Sequence, residues 1–350
     1  MRCGAEKRRQ PRLGERGLKA LANTRRTSRW LTGGLGAAVG AAAVWLALPV
    51  RYEVQGVSMA PSLVPGDVVR SGPLPILDRV RAPGRFERWV LEAADGEAAI
   101  KRIVGLPGER VAIAAGDLVV DGRTVLKGPR VLAEVGVPVA AAARAGASGW
   151  EQDSREVLDD AGFDAGRSTP LLPVRDGGLA AVIAVGGTPA RRGALARVVV
   201  GRTAITVRLA APGRHAIVAG RLDGSLVAAA WPLGVAVDRG RSCLPPNPPE
   251  QWDVATVWPE ESTADERAPG LAVVVAAVTD GVTAVIERVE PWRDVLLRPA
   301  ADGTAAWQVG ADAAFVLGDH PAASRDSRQW GPVPLPALRH RLAPGTAPTR

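Results

Sequence analysis

Two segments place polar side chains where hydrolytic chemistry needs them. The first reads Gly56-Val57-Ser58-Met59-Ala60-Pro61-Ser62-Leu63-Val64-Pro65-Gly66-Asp67, with Ser58 among small and turn-forming residues. The second, Ile100-Lys101-Arg102-Ile103-Val104-Gly105-Leu106-Pro107-Gly108, sets a lysine in a largely apolar run that ends in a Gly-Pro turn. Taken singly, a serine in such a setting is ordinarily a turn hydroxyl and a strand lysine ordinarily faces solvent. Together they offer more. A serine hydroxyl attacks an amide only when a base takes its proton, and a lysine is such a base only when burial lowers its pKa. Bringing a lysine from about 10.4 toward 8 costs roughly 3 kcal/mol of differential solvation. The three histidines, His215, His320 and His340, stand in no triad-like context, which leaves Ser58 and Lys101 as the economical pair.

The elements that must position this pair read as strands. Beyond residue 50 the apolar residues come in short Val/Ile/Leu runs bounded by Gly, Pro and Asp-Gly, with no 3.6-residue stripe longer than two turns. Asp95-Gly96 and Asp121-Gly122 each separate two such runs and predict two-residue hairpin turns, because Asp-Gly tolerates positive φ. Past Lys127 the character changes: an Ala-rich and then acidic stretch, further β-branched runs, and a Pro-rich loop at 242–249 that no central strand accommodates. Residues 128–310 are therefore read as a separate β-rich unit, a sandwich, inserted between 51–127 and 311–343 of a smaller domain, with 344–350 as a tail.

Of the 350 residues, 44 are Lys or Arg and 36 Asp or Glu, a formal net charge of +8. Residues 1–29 hold ten of the basic side chains against Glu6 and Glu15, so the whole excess is a tail and the rest is formally neutral. That distribution argues against a nucleic-acid partner, which needs a basic face on the folded unit. Trp30 to Val50 follows without a charged residue. Twenty-one helical residues span about 31 Å, close to the hydrocarbon thickness of a bilayer. A basic run, an apolar span and a lone Arg51 beyond it predict a single transmembrane helix over 30–50 with the N-terminus, 1–29, in the cytoplasm. Cys3 and Cys243 give neither a disulfide framework nor a zinc ribbon, and no metal or cofactor is expected.

Three blocks in order resemble the bacterial type I signal peptidases, membrane-bound Ser/Lys proteases that remove signal peptides from exported proteins. Gly56 to Leu63 followed by Gly66-Asp67 is similar to the nucleophile block, and Lys101 to Gly108, continued by Asp117 to Gly122, to the general-base block. Phe315-Val316-Leu317-Gly318-Asp319-His320 with Ser324-Arg325-Asp326-Ser327-Arg328-Gln329-Trp330-Gly331 resembles the last block. The resemblance implies Ser58 as nucleophile and Lys101 as base. It also implies Ser324 as hydrogen-bond partner of the lysine, Asp326 and Arg328 as a supporting ion pair, and Gly318-Asp319 as part of the same support. It further implies a mainly β fold: a signal-peptidase-like β catalytic domain carrying the inserted β-rich unit behind one N-terminal transmembrane helix. Substrates would be exported preproteins with small residues before the cut, and the place the bacterial cytoplasmic membrane, in contact with lipid, with the catalytic domain on its outer side.

The chain departs from the family pattern at His320, where Asn is usual, and at Gly56, where some members carry an oxyanion-donating Ser; the 128–310 insert is the third departure. With Gly56, the resemblance implies an oxyanion hole of backbone N–H groups, chiefly that of Ser58. Two other functions compete: a catalytically degenerate anchored module whose insert binds a partner or glycan, and a self-cleaving regulator using the same chemistry. Survival of all three polar residues, Ser58, Lys101 and Ser324, speaks against the first, and the apolar span against the second.

Overall fold

The computed structural model describes residues 19–20, 48–72, 75–79, 81–93, 96–139, 148–152, 176–187, 193–201, 203–234, 244–252, 260–261, 271–277 and 281–343. The expected transmembrane span up to residue 47, the rest of the basic tail and residues 344–350 lie outside them. Among the described residues no helix is long and apolar enough to cross a membrane.

The fold is mainly β, with two short α-helices among the described residues. The sheet that carries the candidate base is five-stranded, in the order Val333–Pro334, Ala313–Leu317, Ala98–Gly105, Arg88–Glu92, Leu338–Arg341. Ala98–Gly105 and Ala313–Leu317 are buried almost throughout, and apart from Lys101 and Arg102 they are apolar, as coverage of both faces requires. On one face Ile103, Ala314 and Val316 pack with Trp89 and Leu91; on the other Val104, Phe315 and Leu317 pack with Val111 and Leu118. A four-stranded sheet, Ala306–Gln308, Arg110–Ala114, Asp117–Val120 and Arg123–Thr124, adjoins it. Asp121 and Gly122 turn its last hairpin with φ of 50° and 78°, the conformation expected of Asp-Gly.

Between residues 137 and 293 the chain builds two five-stranded sheets that share a core. Along Gly177–Gly186 the odd residues Leu179, Ala181, Ile183 and Val185 face that core. Ala180 faces the opposite way, into a second cluster with Val218, Trp292 and Leu132. Leu132 belongs to a helix, Pro129–Val135, that the strand-only reading did not expect. Seven residues started by a proline make two turns, too few to leave a periodic stripe.

A three-stranded sheet, Lys19–Ala20, Arg51–Glu53 and Val68–Arg70, leads into the turn that carries Ser58. The pairing of Lys19–Ala20 with Tyr52 and Glu53 and a bilayer crossed by residues 30–50 are mutually exclusive, since the span would hold the two strands about 30 Å apart.

Candidate active site

Ser58 sits in a tight turn in which the Ala60 N–H bonds the Val57 carbonyl and the Leu63 N–H bonds that of Met59. Met59 and Leu63 anchor the turn by burying their side chains with Tyr52, Val54, Val69 and Ile100, which leaves Ser58 half-buried and Gly56 and Val57 exposed. A Cβ at Gly56 would meet nothing within 4 Å, so a larger residue has room there. Asp67 closes the segment as a turn residue, its carboxylate accepting from the Val64 N–H at 2.8 Å.

Lys101 and Arg102 follow one another on a strand and so point to opposite faces. Both are buried, Lys101 to 3% exposure. The Lys101 ammonium donates to Ser324 Oγ at 3.0 Å and stands 5.9 Å from the centre of the Trp330 ring, at the outer limit of a cation–π contact.

Gly318 brings Ser58 and Ser324 together. A Cβ at 318 would lie no more than 2.5 Å from Ser324 Oγ, Ser324 Cβ and the carbonyl oxygen of Ser58. The same carbonyl accepts from the His320 N–H at 3.1 Å. The Ser58 backbone, Lys101 and Ser324 therefore occupy one small volume that only a glycine leaves open.

Asp326 and Arg328 form the expected ion pair, and it is buried, not a surface pair. Asp326 is 0% exposed and takes a two-pronged contact from Arg328, Nε to Oδ1 at 2.8 Å and Nη2 to Oδ2 at 2.9 Å. Asp326 also accepts from the Gly318 N–H at 3.0 Å and caps the helix Ser327–Trp330 in a reciprocal box with Gln329. Arg328 reaches on to the Pro321 carbonyl at 2.7 Å. Through the Gly318 N–H and the Pro321 and Ser324 carbonyls, one buried pair thus ties down the 318–324 loop.

Asp319 takes the fork of Arg102, Nε to Oδ1 and Nη2 to Oδ2 both at 2.7 Å, and accepts from Ser62 Oγ at 2.5 Å. Arg102 and Ser62 were absent from the expected set. The signal was there: two consecutive cations in a buried strand each need a partner, on opposite faces. Burial pulls the Arg102 guanidinium down, but Asp319 and Glu134 outweigh it and hold it above the ordinary arginine value. His320 replaces the expected Asn without losing a side-chain bond, its Nδ1 accepting from the Ala323 N–H at 3.0 Å.

Away from this site, carboxylate oxygens of Asp117, Asp176, Asp223 and Asp294 lie within 4.8 Å of one another. Such a group has the donor chemistry for a hard cation, and it holds one of its own: Lys127 Nζ bonds Asp223 and lies 2.9 Å from Asp294. Burial first, then the neighbouring carboxylates against the pull of Lys127, pushes Asp117 up to about 6; burial does the same for Asp294. These folded-state values lie above the unfolded carboxylate range. The folded chain therefore takes up its proton first as pH falls through about 6, and gains stability relative to the unfolded chain until about pH 4. Asp117 is partly exposed, so its share is on the order of 1 kcal/mol. Asp117→Asn should raise Tm by about 1–2 °C at pH 7.5 and by less at pH 5, as measured by parallel thermal melts. Equal shifts at both pH values would contradict this.

A family model described as signal peptidase, peptidase S26, matches residues 27–158 and 282–342, more than half of the chain, and leaves 159–281 between its two parts. No curated protein matches the chain.

Proposed function

Because the chain belongs to the signal peptidase family, peptidase S26, we propose that it is a membrane-anchored serine endopeptidase that removes signal peptides from exported preproteins with a Ser58/Lys101 dyad. The family supplies the reaction class, a hydrolase acting on preproteins. The observation that carries the residue assignment is the buried Lys101 bonded to Ser324 beside the Ser58 backbone.

In this reading the neutral amine of Lys101 takes the Ser58 hydroxyl proton as Oγ attacks the carbonyl carbon before the cut. The oxyanion that develops is met by backbone N–H groups, chiefly that of Ser58. Lys101 then returns the proton to the departing amine, leaving the signal peptide as an ester on Ser58. Water, deprotonated by Lys101, hydrolyses that ester. Ser324 orients the lysine, while Asp326, Arg328, Gly318 and Asp319 fix the loop that carries it. Residues 30–50 cross the bacterial cytoplasmic membrane with 1–29 inside, giving up the Lys19–Ala20 pairing. Ser58, seven residues beyond Arg51, stays within about 25 Å of the bilayer surface. The inserted β-rich unit lies within residues 128–310, whose last strand, Ala306–Gln308, returns to pair with Arg110–Ala114 of the catalytic part.

The test is a preprotein-processing assay in detergent and lipid, with wild type and Ser58→Ala at equal folded amounts. Wild type should release the mature protein and Ser58→Ala should not. A wild type that cuts no preprotein but binds a partner or glycan would replace this reading with the binding-module one.

A further inference from the structure

We infer that Glu134, on the helix leading into the two-sheet unit, is a positioning residue for the active-site loop, acting through Arg102 and Asp319. The inference rests on the reading of Ser58, Lys101 and Ser324 as the catalytic groups.

Arg88 and Arg102 are direct cross-strand partners in the antiparallel pair Arg88–Glu92 and Ala98–Gly105, and both are buried. Two like charges facing each other across strands repel, and burial removes the water that would screen them. Asp319 neutralises one of the two, Arg102. The second anion is Glu134, whose Oε2 lies 3.0 Å from Arg102 Nη1 and whose Oε1 lies 3.4 Å from Arg88 Nη2. Burial nevertheless holds Arg88 below the ordinary arginine value, opposed by Glu134 and reinforced by Arg102.

Glu134 comes from outside the sheet. Its helix buries Leu132 against Ala180, Val218 and Trp292 of the two-sheet unit and turns Glu134 toward the catalytic sheet. The charge on this helix, together with the Phe86 carbonyl that accepts from Arg102 Nη1 at 2.8 Å, thus sets where the Arg102 fork points. That fork holds Asp319, which is bonded to Ser62 in the nucleophile segment and lies between Gly318 and His320, the two residues that meet the Ser58 carbonyl. Without Glu134 the two arginines lose their shared anion, Arg102 swings from Arg88, and the 318–324 loop loosens.

The experiment uses the full chain in detergent: wild type, Glu134→Gln, Arg88→Met and the double variant. Two readouts are taken: steady-state processing of a preprotein, and amide hydrogen exchange over 318–324. Glu134→Gln should lower kcat about tenfold with KM within about twofold, and speed exchange in the loop about tenfold, because small misplacements near reacting groups act on kcat. Arg88→Met should stay near wild type. The double variant should recover to within about threefold on both readouts, because the repulsion that Glu134 offsets is gone. Glu134→Gln indistinguishable from wild type, or a double variant as impaired as Glu134→Gln, would overturn the inference. A wild type that cuts nothing while the exchange pattern follows this order would overturn the peptidase reading instead and leave the positioning role standing.

Discussion

Lys101→Met should abolish processing, lowering kcat by about 10⁴-fold, while leaving the fold as stable as wild type or more so. Methionine matches the length and apolar stem of lysine, so the strand keeps its packing against Trp89 and Ile103's neighbours. What disappears is the amine that donates to Ser324 Oγ and that we propose as the base for Ser58. Lys101→Arg should be equally inactive although it keeps the charge and can reach Ser324, since a guanidinium does not give up its proton in a protein. The check is kcat at saturating preprotein together with a thermal melt. A Met variant retaining a tenth of wild-type kcat would mean that another group serves as base.

Gly318→Ala should cost about 100-fold or more in kcat for a steric reason. The new methyl would lie within 2.5 Å of Ser324 Oγ, Ser324 Cβ and the Ser58 carbonyl. Rotating Ser324 clears its hydroxyl but not its Cβ, and the Ser58 carbonyl is backbone, so the loop and the nucleophile turn must separate. A shift on the order of 1 Å next to the reacting groups is enough for a hundredfold loss. Overpacking also costs about 1–3 kcal/mol of stability. Kinetics on protein first shown to be folded separates the two effects. Wild-type activity in folded Gly318→Ala would show that Ser58 and Ser324 need not be this close.

The strand Ala98–Gly105 could be read from its residues because two of them are cations in an apolar run, and the hairpin at Asp121-Gly122 because positive φ restricts what can stand there. Ser58, Lys101, Ser324, Asp326 and Arg328 were legible through their order in three blocks. Burial of the Asp326–Arg328 pair was not, since residues two apart at a helix start form surface pairs just as readily. Glu134 escaped notice because its helix has only seven residues and its partners, Arg88 and Arg102, lie on strands 46 and 32 positions earlier. The Asp117, Asp176, Asp223 and Asp294 cluster forms where separate strand ends converge, a juxtaposition with no trace in local spacing. In Gly177–Gly186 both faces are covered, so polar residues do not alternate with apolar ones, and the run gave a strand region without a register.

The central claim is that Ser58 carries the acyl group. Wild-type protein mixed with excess preprotein should be quenched in acid within the first turnovers, digested and analysed by mass spectrometry. The peptide containing Ser58 should bear the signal peptide's C-terminal residue as an ester, absent from Ser58→Ala and from Lys101→Met. Processing at the wild-type rate by Ser58→Ala, or an acyl group found on another residue, would contradict it.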